Sequence, residues 1–491
     1  MAIRLSGMVS GMDTDAMVKE LVSSYRIKTQ KYEKAKTKIE WKQEAWQDLN
    51  SKIYKLYSST LSNLRMAGAY NKKKTIVSDT TKASVVAQSG AVTGTQKLEI
   101  KKLATAGYLT GEELKADEKV TKDTQLGELG ILGDCKITLT KGEKATDIEL
   151  TADMTVSDLI GKIRETGVNV NFDEGNQRFF ISSKESGTKE NFTLTATGMG
   201  DVALDKLGLK NGKKIEGEDA HIILNGANFY SSTNNFSING LTISVNALTE
   251  ENETITLTTD TDVDAVYDTI KGFLKEYNAL IKEMDTLYNA KTAKGYEPLT
   301  SEEKEAMSDE EVEKWEKKIK DSLLRRDGNL SSVMSGMKTA MQSSIEINGK
   351  NYTLSSFGIN TASYFSSGDN EKNMYHIDGD SEDAVSSGND DKLKSMIASD
   401  PETVFTFFST LVTDVYDDLT KKMSSTTLSS AFKVYNDKQL QEEQKDYEKK
   451  IDKWEDYVSQ QEQYWYSKFT AMEKALSELQ SSTSALAGLL G

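Results

Sequence analysis

Both ends of this chain carry long helical segments with an apolar side chain every three or four residues, and no other feature restricts its fold as strongly. From Leu21 onward the stripe runs through Tyr25, Tyr32, Ala35, Ile39, Trp46, Leu49, Ile53 and Leu56, interrupted at Lys28 and Lys42. At the other end Tyr447, Ile451, Trp454, Val458, Trp465, Met472, Ala475, Leu479, Leu486 and Leu489 fall on a seam of the same period, with Gln461, Lys468 and Ser482 interrupting. This spacing puts one narrow sticky stripe on each helix, and helices bury such stripes by winding around one another. Neither segment contains proline, and both outrun the ordinary globular helix. Matching seams at the two termini predict a chain that leaves along one helix and returns antiparallel along the other.

The middle of the chain has a different character. From about residue 83 to 260 it is rich in Thr, Gly, Asn and Val, with strand-like runs such as QKLEIKKLA, KITLT, TDIELT, VNVNF, RFFISS, FTLTAT, HIILN, LTISV and TITLTT. Within it, Thr155 to Gly167 reads as a single helix: Thr155 and Asp158 have capping-box spacing, and Gly167 is a left-handed stop. Helices return in DVDAVYDTIKGFLKEYNALIKEM, whose Val263, Tyr267, Ile270, Leu274, Tyr277, Ile281 and Met284 share one face. Ser308 and Glu311 cap the next helix, and Asp400-Pro401 opens another. The expected fold class is α+β and multidomain, with an antiparallel coiled-coil stalk, a helical leg and β-rich head domains inserted mid-chain. The expected division is 1–45 with 440–491 (coiled coil), 46–75 with 261–439 (leg), 76–110 with 211–260 (inner β-rich head) and 111–210 (outer α+β head). Residues 76–260 are expected to fold without the terminal helices.

The first residues, MAIRLSGMVSGMDTDAMVKELV, superficially resemble a secretory signal, but no continuous apolar run follows Arg4, and Asp13 and Asp15 interrupt where it would lie. No cleaved signal is expected. Two Ser-Gly steps precede Asp13, whose carboxylate suits a helix N-cap, and Asp15 suits the positive helix end. The result is a flexible apolar hook ahead of an amphipathic helix. The candidate assembly surface therefore joins Leu5, Met8, Met12, Val18 and Leu21 to Met472, Leu476, Leu479, Leu486 and Leu489.

Charge and side-chain inventory leave little room for other functions. Lys and Arg total 61 against 77 Asp and Glu, a formal net charge of -16, so a phosphate backbone is repelled unless a basic patch exists. Lys72-Lys73-Lys74 is the only compact basic run and reads as solvated surface. No stretch has the length and apolarity of a membrane span. The single cysteine, Cys135, placed just before KITLT, excludes an internal disulfide and a cysteine-rich metal site. His221 and His376 each lack the second histidine of a short metal motif. The acidic cluster from Asp378 through Asp380 and Glu382 to Asp383 lacks EF-hand spacing and reads as a solvated loop. Gly198, Gly200 and Ala203 imitate the G-x-G-x-x-A of a dinucleotide turn, yet the next clear strand ends in Asn225 rather than an acid. No catalytic residue, cofactor or metal is expected.

Several stretches together resemble one known family. SGMVSGMDTDAMVKELV followed by QKLEIKKLATA, then GEDAHIILNGANFYSSTNNFSINGLTISVNALTEENETITLTTDTDVDAVYDTIKGFLKEYNALI, LLRRDGNLSSVMSGMK, SSFGI and the terminal KFTAMEKALSELQ are similar, in this order, to the FliD (hook-associated protein 2) family of flagellar filament caps. The resemblance implies a non-enzymatic protein at the filament tip, exported by the flagellar type III apparatus. It also implies self-assembly in roughly four to six copies. The implied partners are flagellin, a hook-filament junction protein and a flagellar export chaperone, without nucleic acid or membrane insertion. Another axial flagellar protein, with similarly paired terminal helices, is the alternative, and a nucleotide-binding enzyme using Gly198 and Gly200 is a more distant one.

Overall fold

The computed structural model describes residues 10–116, 118–133, 135–362, 368 and 370–490. It divides into two compact units: residues 1–70 with 263–491, and residues 71–262. The first unit begins with α1 (Thr14–Lys55), opened by the Asp13 carboxylate, which accepts from Ala16 N at 3.0 Å. The helix runs on through a π turn at Leu56–Leu61 into the short α2 (Ser62–Leu64). Its seam differs from the expected phase at the start. Val18 and Val22 are buried, whereas Leu21 is 40% exposed, because only one face of the helix meets its partner and Leu21 lies off that face.

The second unit holds every strand from β1 to β15. These are β1 (Lys73–Val77), β2 (Ala83–Ala87), β3 (Gly94–Lys102), β4 (Tyr108–Thr110), β5 (Cys135–Lys141) and β6 (Lys144–Leu150). After α3 (Val156–Glu165) come β7 (Val168–Asp173), β8 (Arg178–Ser183) and β9 (Phe192–Ala196). Then follow α4 (Met199–Lys206), β10 (Lys213–Ile215), β11 (Ala220–Leu224), β12 (Ala227–Ser231), β13 (Asn235–Ile238), β14 (Leu241–Val245) and β15 (Ile255–Thr261). All strand pairs among the described residues are antiparallel.

Two apolar clusters organise this unit. One joins a five-stranded sheet, ordered β1-β15-β3-β11-β12, to a three-stranded sheet, β13-β14-β2, through Leu98, Ile100, Ile222, Leu257, Phe236 and Ile243. The other joins the sheets β10-β4-β8-β7 and β6-β5-β9 to α3 and α4. The alternation expected of half-buried strands is plain in β7, where Val168, Val170 and Phe172 point inward. The capping box on α3 forms as expected: Asp158 N donates to Thr155 Oγ1 at 3.1 Å, and Thr155 N donates back to the Asp158 carboxylate at 3.0 Å. Cys135 is the first residue of β5 rather than the residue before it, and is half-buried beside the second cluster.

Strand β1 pairs with β15 from Lys73↔Thr261 to Val77↔Leu257, so a fragment cut at residue 76 would tear away an edge strand. We expect residues 71–262, expressed alone, to melt in one or two cooperative steps; a featureless thermal scan would show that these sheets need the helices.

Returning to the first unit, the chain forms α5 (Val263–Tyr288), α6 (Ser301–Glu305), α7 (Asp309–Lys320) and α8 (Gly328–Met341). The hairpin β16 (Ile345–Ile347) and β17 (Lys350–Tyr352) and the paired β18 (Ile359–Thr361) and β19 (Tyr375–Ile377) follow. The last helices are α9 (Lys392–Ser399), α10 (Pro401–Lys422) and α11 (Asp437–Leu490). Ser308 caps α7 reciprocally with Glu311, and Asp400 caps α10 with Pro401 at its first position. One core unites Trp46, Leu49 and Ile53 of α1, Ile270, Phe273 and Tyr277 of α5, Val333 and Met337 of α8, and Phe405, Phe407, Phe408 and Leu411 of α10. The expected stripe on α5 is buried apart from Val263, which is only partly covered.

Candidate assembly surface on the terminal helices

Helices α1 and α11 run antiparallel, and their partners can be followed along the whole overlap. Near the core Gln444 Nε2 meets the Glu40 carboxylate at 3.2 Å, and Lys36 Nζ lies 3.2 Å from Glu448. The hydrogen bond that Lys36 donates to the Glu448 carboxylate holds its ammonium above the ordinary pKa. Farther out Tyr32 packs on Tyr447, Lys28 sits 4.5 Å over the Trp454 ring, and Tyr25 meets Tyr457 edge-on at 5.3 Å. Arg26 pairs with Glu462. The overlap ends where Ser10 donates both its backbone N–H and its hydroxyl to the buried Glu473 carboxylate. Gly11, at φ +68°, turns the chain there, a conformation open to glycine without strain.

The base of this pair is buried and closely packed, and the far end is not enclosed. At the base, Trp46 stacks on Tyr435 with ring centroids 5.1 Å apart and planes 7° from parallel. Buried Asn50 fastens the return segment: its Nδ2 donates to Phe432 O at 3.1 Å and its Oδ1 accepts from Val434 N at 3.0 Å. Sequence reading passed over Asn50, since nothing within a helical turn of it signals a partner. Farther out the helices cover each other on one side only. Beyond Glu473, Leu476 is half-buried, while Leu479 is 64% and Leu486 60% exposed. From Lys474 on, no hydrogen bond or ion pair reaches another element among the described residues. Of the remaining candidates, Val18 is buried and Met12 and Met472 are half-buried; Leu5, Met8 and the side chain of Leu489 lie outside the described residues.

One seam position is imperfect. Thr29 is buried, and its hydroxyl has no hydrogen-bond partner. Leaving a polar atom buried and unsatisfied costs about 1–3 kcal/mol. Thr29→Val, of the same shape, should therefore tighten the pair and slow proteolysis of the terminal helices; faster cleavage would mean that the hydroxyl finds water in solution.

The motifs that imitate chemistry have structural work. Gly200 lies where an added Cβ would meet Lys136 O at 2.1 Å, so this glycine lets α4 approach β5. The fingerprint needs a parallel βαβ unit, and β9 and β5 pair antiparallel. His376 Nδ1 is 2.7 Å from Asp383, and His221 Nε2 is 2.8 Å from the Asn228 amide oxygen. The acidic cluster departs from the solvated loop expected of it: Asp380 is buried and holds Lys271 Nζ at 2.8 Å, and Glu382 holds the same ammonium. That ammonium is pushed above its ordinary pKa by these hydrogen bonds. Among the described residues no group of three acidic, histidine or cysteine side chains is arranged to hold a metal ion, and no helix is long and apolar enough to cross a membrane. Asn278, beside Tyr277 on α5, is likewise architectural. Asn278 donates to Tyr375 O at 2.7 Å and accepts from Tyr375 N at 2.8 Å, locking β19 onto α5.

A family model described as flagellar hook-associated protein 2 C-terminus matches residues 217–481, and one described as flagellar hook-associated protein 2 N-terminus matches residues 10–107. The chain is 25% identical over 436 residues to flagellar hook-associated protein 2 of Halalkalibacterium halodurans, spanning 82% of this chain and 78% of the relative. It is 30% identical over 355 residues to the Thermotoga maritima protein of the same description, spanning 69% of this chain and 53% of the relative. Among solved structures, the D1-D2-D3 domains of the flagellar cap protein FliD from Escherichia coli align over 76% of this chain and 95% of theirs, at 19% identity and a TM-score of 0.49.

Proposed function

The chain belongs to the flagellar hook-associated protein 2 family, and from that premise we propose that it caps the distal end of a flagellar filament. Several copies form a plate at the tip, retain each exported flagellin there, and promote its folding and insertion as the filament lengthens. The observation that carries this reading is the far end of α11, where Leu479 and Leu486 stand exposed beyond the last contact with α1. Burying one such leucine is worth roughly 1.5–3 kcal/mol, so a few contacts hold a filament end and each is released as the cap advances.

The terminal helices also suit passage through a narrow export apparatus. An isolated pair with lysines and polar residues in its seam stabilises little by itself and orders when further helices complete its burial. Flagellin, a hook-filament junction protein and an export chaperone are the partners this reading assigns, at the flagellum and outside the cell. We also propose the four-part division, which the separate apolar clusters around residues 83–104 with 220–257 and around 109–209 support. Both family models carry the hook-associated protein 2 description, which favours the cap over other axial flagellar proteins. Nothing in the reading requires a reaction.

Electron microscopy of the full-length protein added to filaments tests this directly. Density at distal ends, together with restored elongation of cap-deficient filaments, is expected. Decoration along the shaft, or no binding, would reject the cap.

A further inference from the structure

Thirty consecutive residues, Ala220 to Thr249, contain no Asp, Glu, Lys or Arg, in a chain where those residues make up 28% of the total. Average composition would put about eight charges in such a stretch. The run is not simply core. Asn228, Tyr230, Asn235, Ser237 and Asn239 are all exposed. It builds β11 to β14, and it puts β12 at one open edge of the five-stranded sheet.

An open strand edge presents unpaired N–H and C=O groups, and proteins normally blunt it with lysine, proline or a bulge. The opposite edge of the same sheet obeys that rule, since β1 carries Lys73 and Lys74. Strand β12, with the sequence ANFYS, has none of these devices. It is held to β11 by a two-residue turn at Asn225-Gly226, both at positive φ, in regular register from Leu224↔Ala227 to Ala220↔Ser231. Beyond that pairing, no backbone hydrogen bond engages Asn228 or Tyr230 among the described residues.

The exposed side of this strand is already ordered. Tyr230, 68% exposed, stacks on His221 with centroids 4.5 Å apart and planes 12° from parallel. His221 is held in turn by Asn228 at 2.8 Å. Tyrosine is among the side chains most often dominant in interfaces, and one fixed before binding loses less rotamer freedom when a partner arrives.

We propose that the β12 edge, with Asn228 and Tyr230 at its centre, is a contact between copies of this chain. The proposal rests on the reading of the protein as a multi-copy cap and names the surface by which copies meet. Charge selects a second copy as the occupant. A basic partner would be drawn to the acidic surface of a chain with net charge -16 and would gain nothing from an uncharged strand edge. Another copy carries the same sign, is repelled elsewhere, and approaches most easily where charge is missing.

The test compares full-length wild type, the double variant Asn228→Lys with Tyr230→Lys, and Ile76→Lys on the blunted edge, by sedimentation across a concentration series. Wild type is expected to self-associate, and more strongly as salt screens its net charge. The double variant should associate at least roughly tenfold more weakly, as expected when unpaired charges enter an interface core, while Ile76→Lys behaves as wild type. Unchanged circular dichroism and melting would show that the variants are folded. The proposal is overturned by a double variant that associates like wild type, by a wild type that stays monomeric throughout, or by equal losses in all variants. Tip binding, measured on the same samples, separates the two ideas. Wild type failing to bind filament ends rejects the cap, whereas wild type capping beside a normally assembling double variant rejects only this surface.

Discussion

Leu479→Asp or Leu486→Asp abolishes attachment to filament ends and leaves both compact units folded. Each leucine is exposed in the free protein, so a carboxylate there costs the isolated chain almost nothing. On the proposed cap reading, the same position is closed over by helices of a neighbouring copy or of flagellin, where an ionised side chain without a partner would be costly to bury. The loss of the leucine contact, roughly 1.5–3 kcal/mol, adds to that cost. Tip occupancy by electron microscopy should fall to background, with circular dichroism and thermal melting unchanged. Normal capping by both variants would show that the end of α11 is not the gripping surface.

Trp46→Ala, in contrast, should damage the free protein. Its indole is buried against Tyr435, at the point where the chain turns back into α11. Removing a fully buried tryptophan costs roughly 3–5 kcal/mol, from lost burial and the cavity left behind. The damage should be local to the unit formed by residues 1–70 and 263–491. Asn50→Ala, which leaves Phe432 O and Val434 N without their partner, should cost less, about 1–3 kcal/mol. Urea unfolding followed by far-ultraviolet circular dichroism, with protease sensitivity around residues 430–437, resolves the two. A Trp46→Ala protein within about 1 kcal/mol of wild type would mean that the stack does not hold the base of the helix pair.

What could be read locally in the sequence was read well. The capping boxes at Thr155 and Ser308, the Asp400-Pro401 start of α10 and the inward stripe of α5 all stand in the structure. The candidate site was legible in outline, as two terminal helices with a common period. Its phase was not. Neighbouring Leu21 and Val22 are both apolar, and the choice between them is made by the helix lying opposite.

The sequence by itself therefore determined many of the elements of this protein, several of their caps and the antiparallel return of the two terminal helices. Each of those signals depends on groups within a turn or two of one another, or on composition. Only the tertiary structure decided that Asn50 clamps a segment 382 residues away, that Asp380 is buried against Lys271, that Gly200 is small to admit Lys136 O, and that the uncharged run occupies an open sheet edge. The physical reason is the same for each. A polar group, a glycine or a strand edge acquires its role from what faces it, and the facing group comes from a part of the chain that no local periodicity specifies.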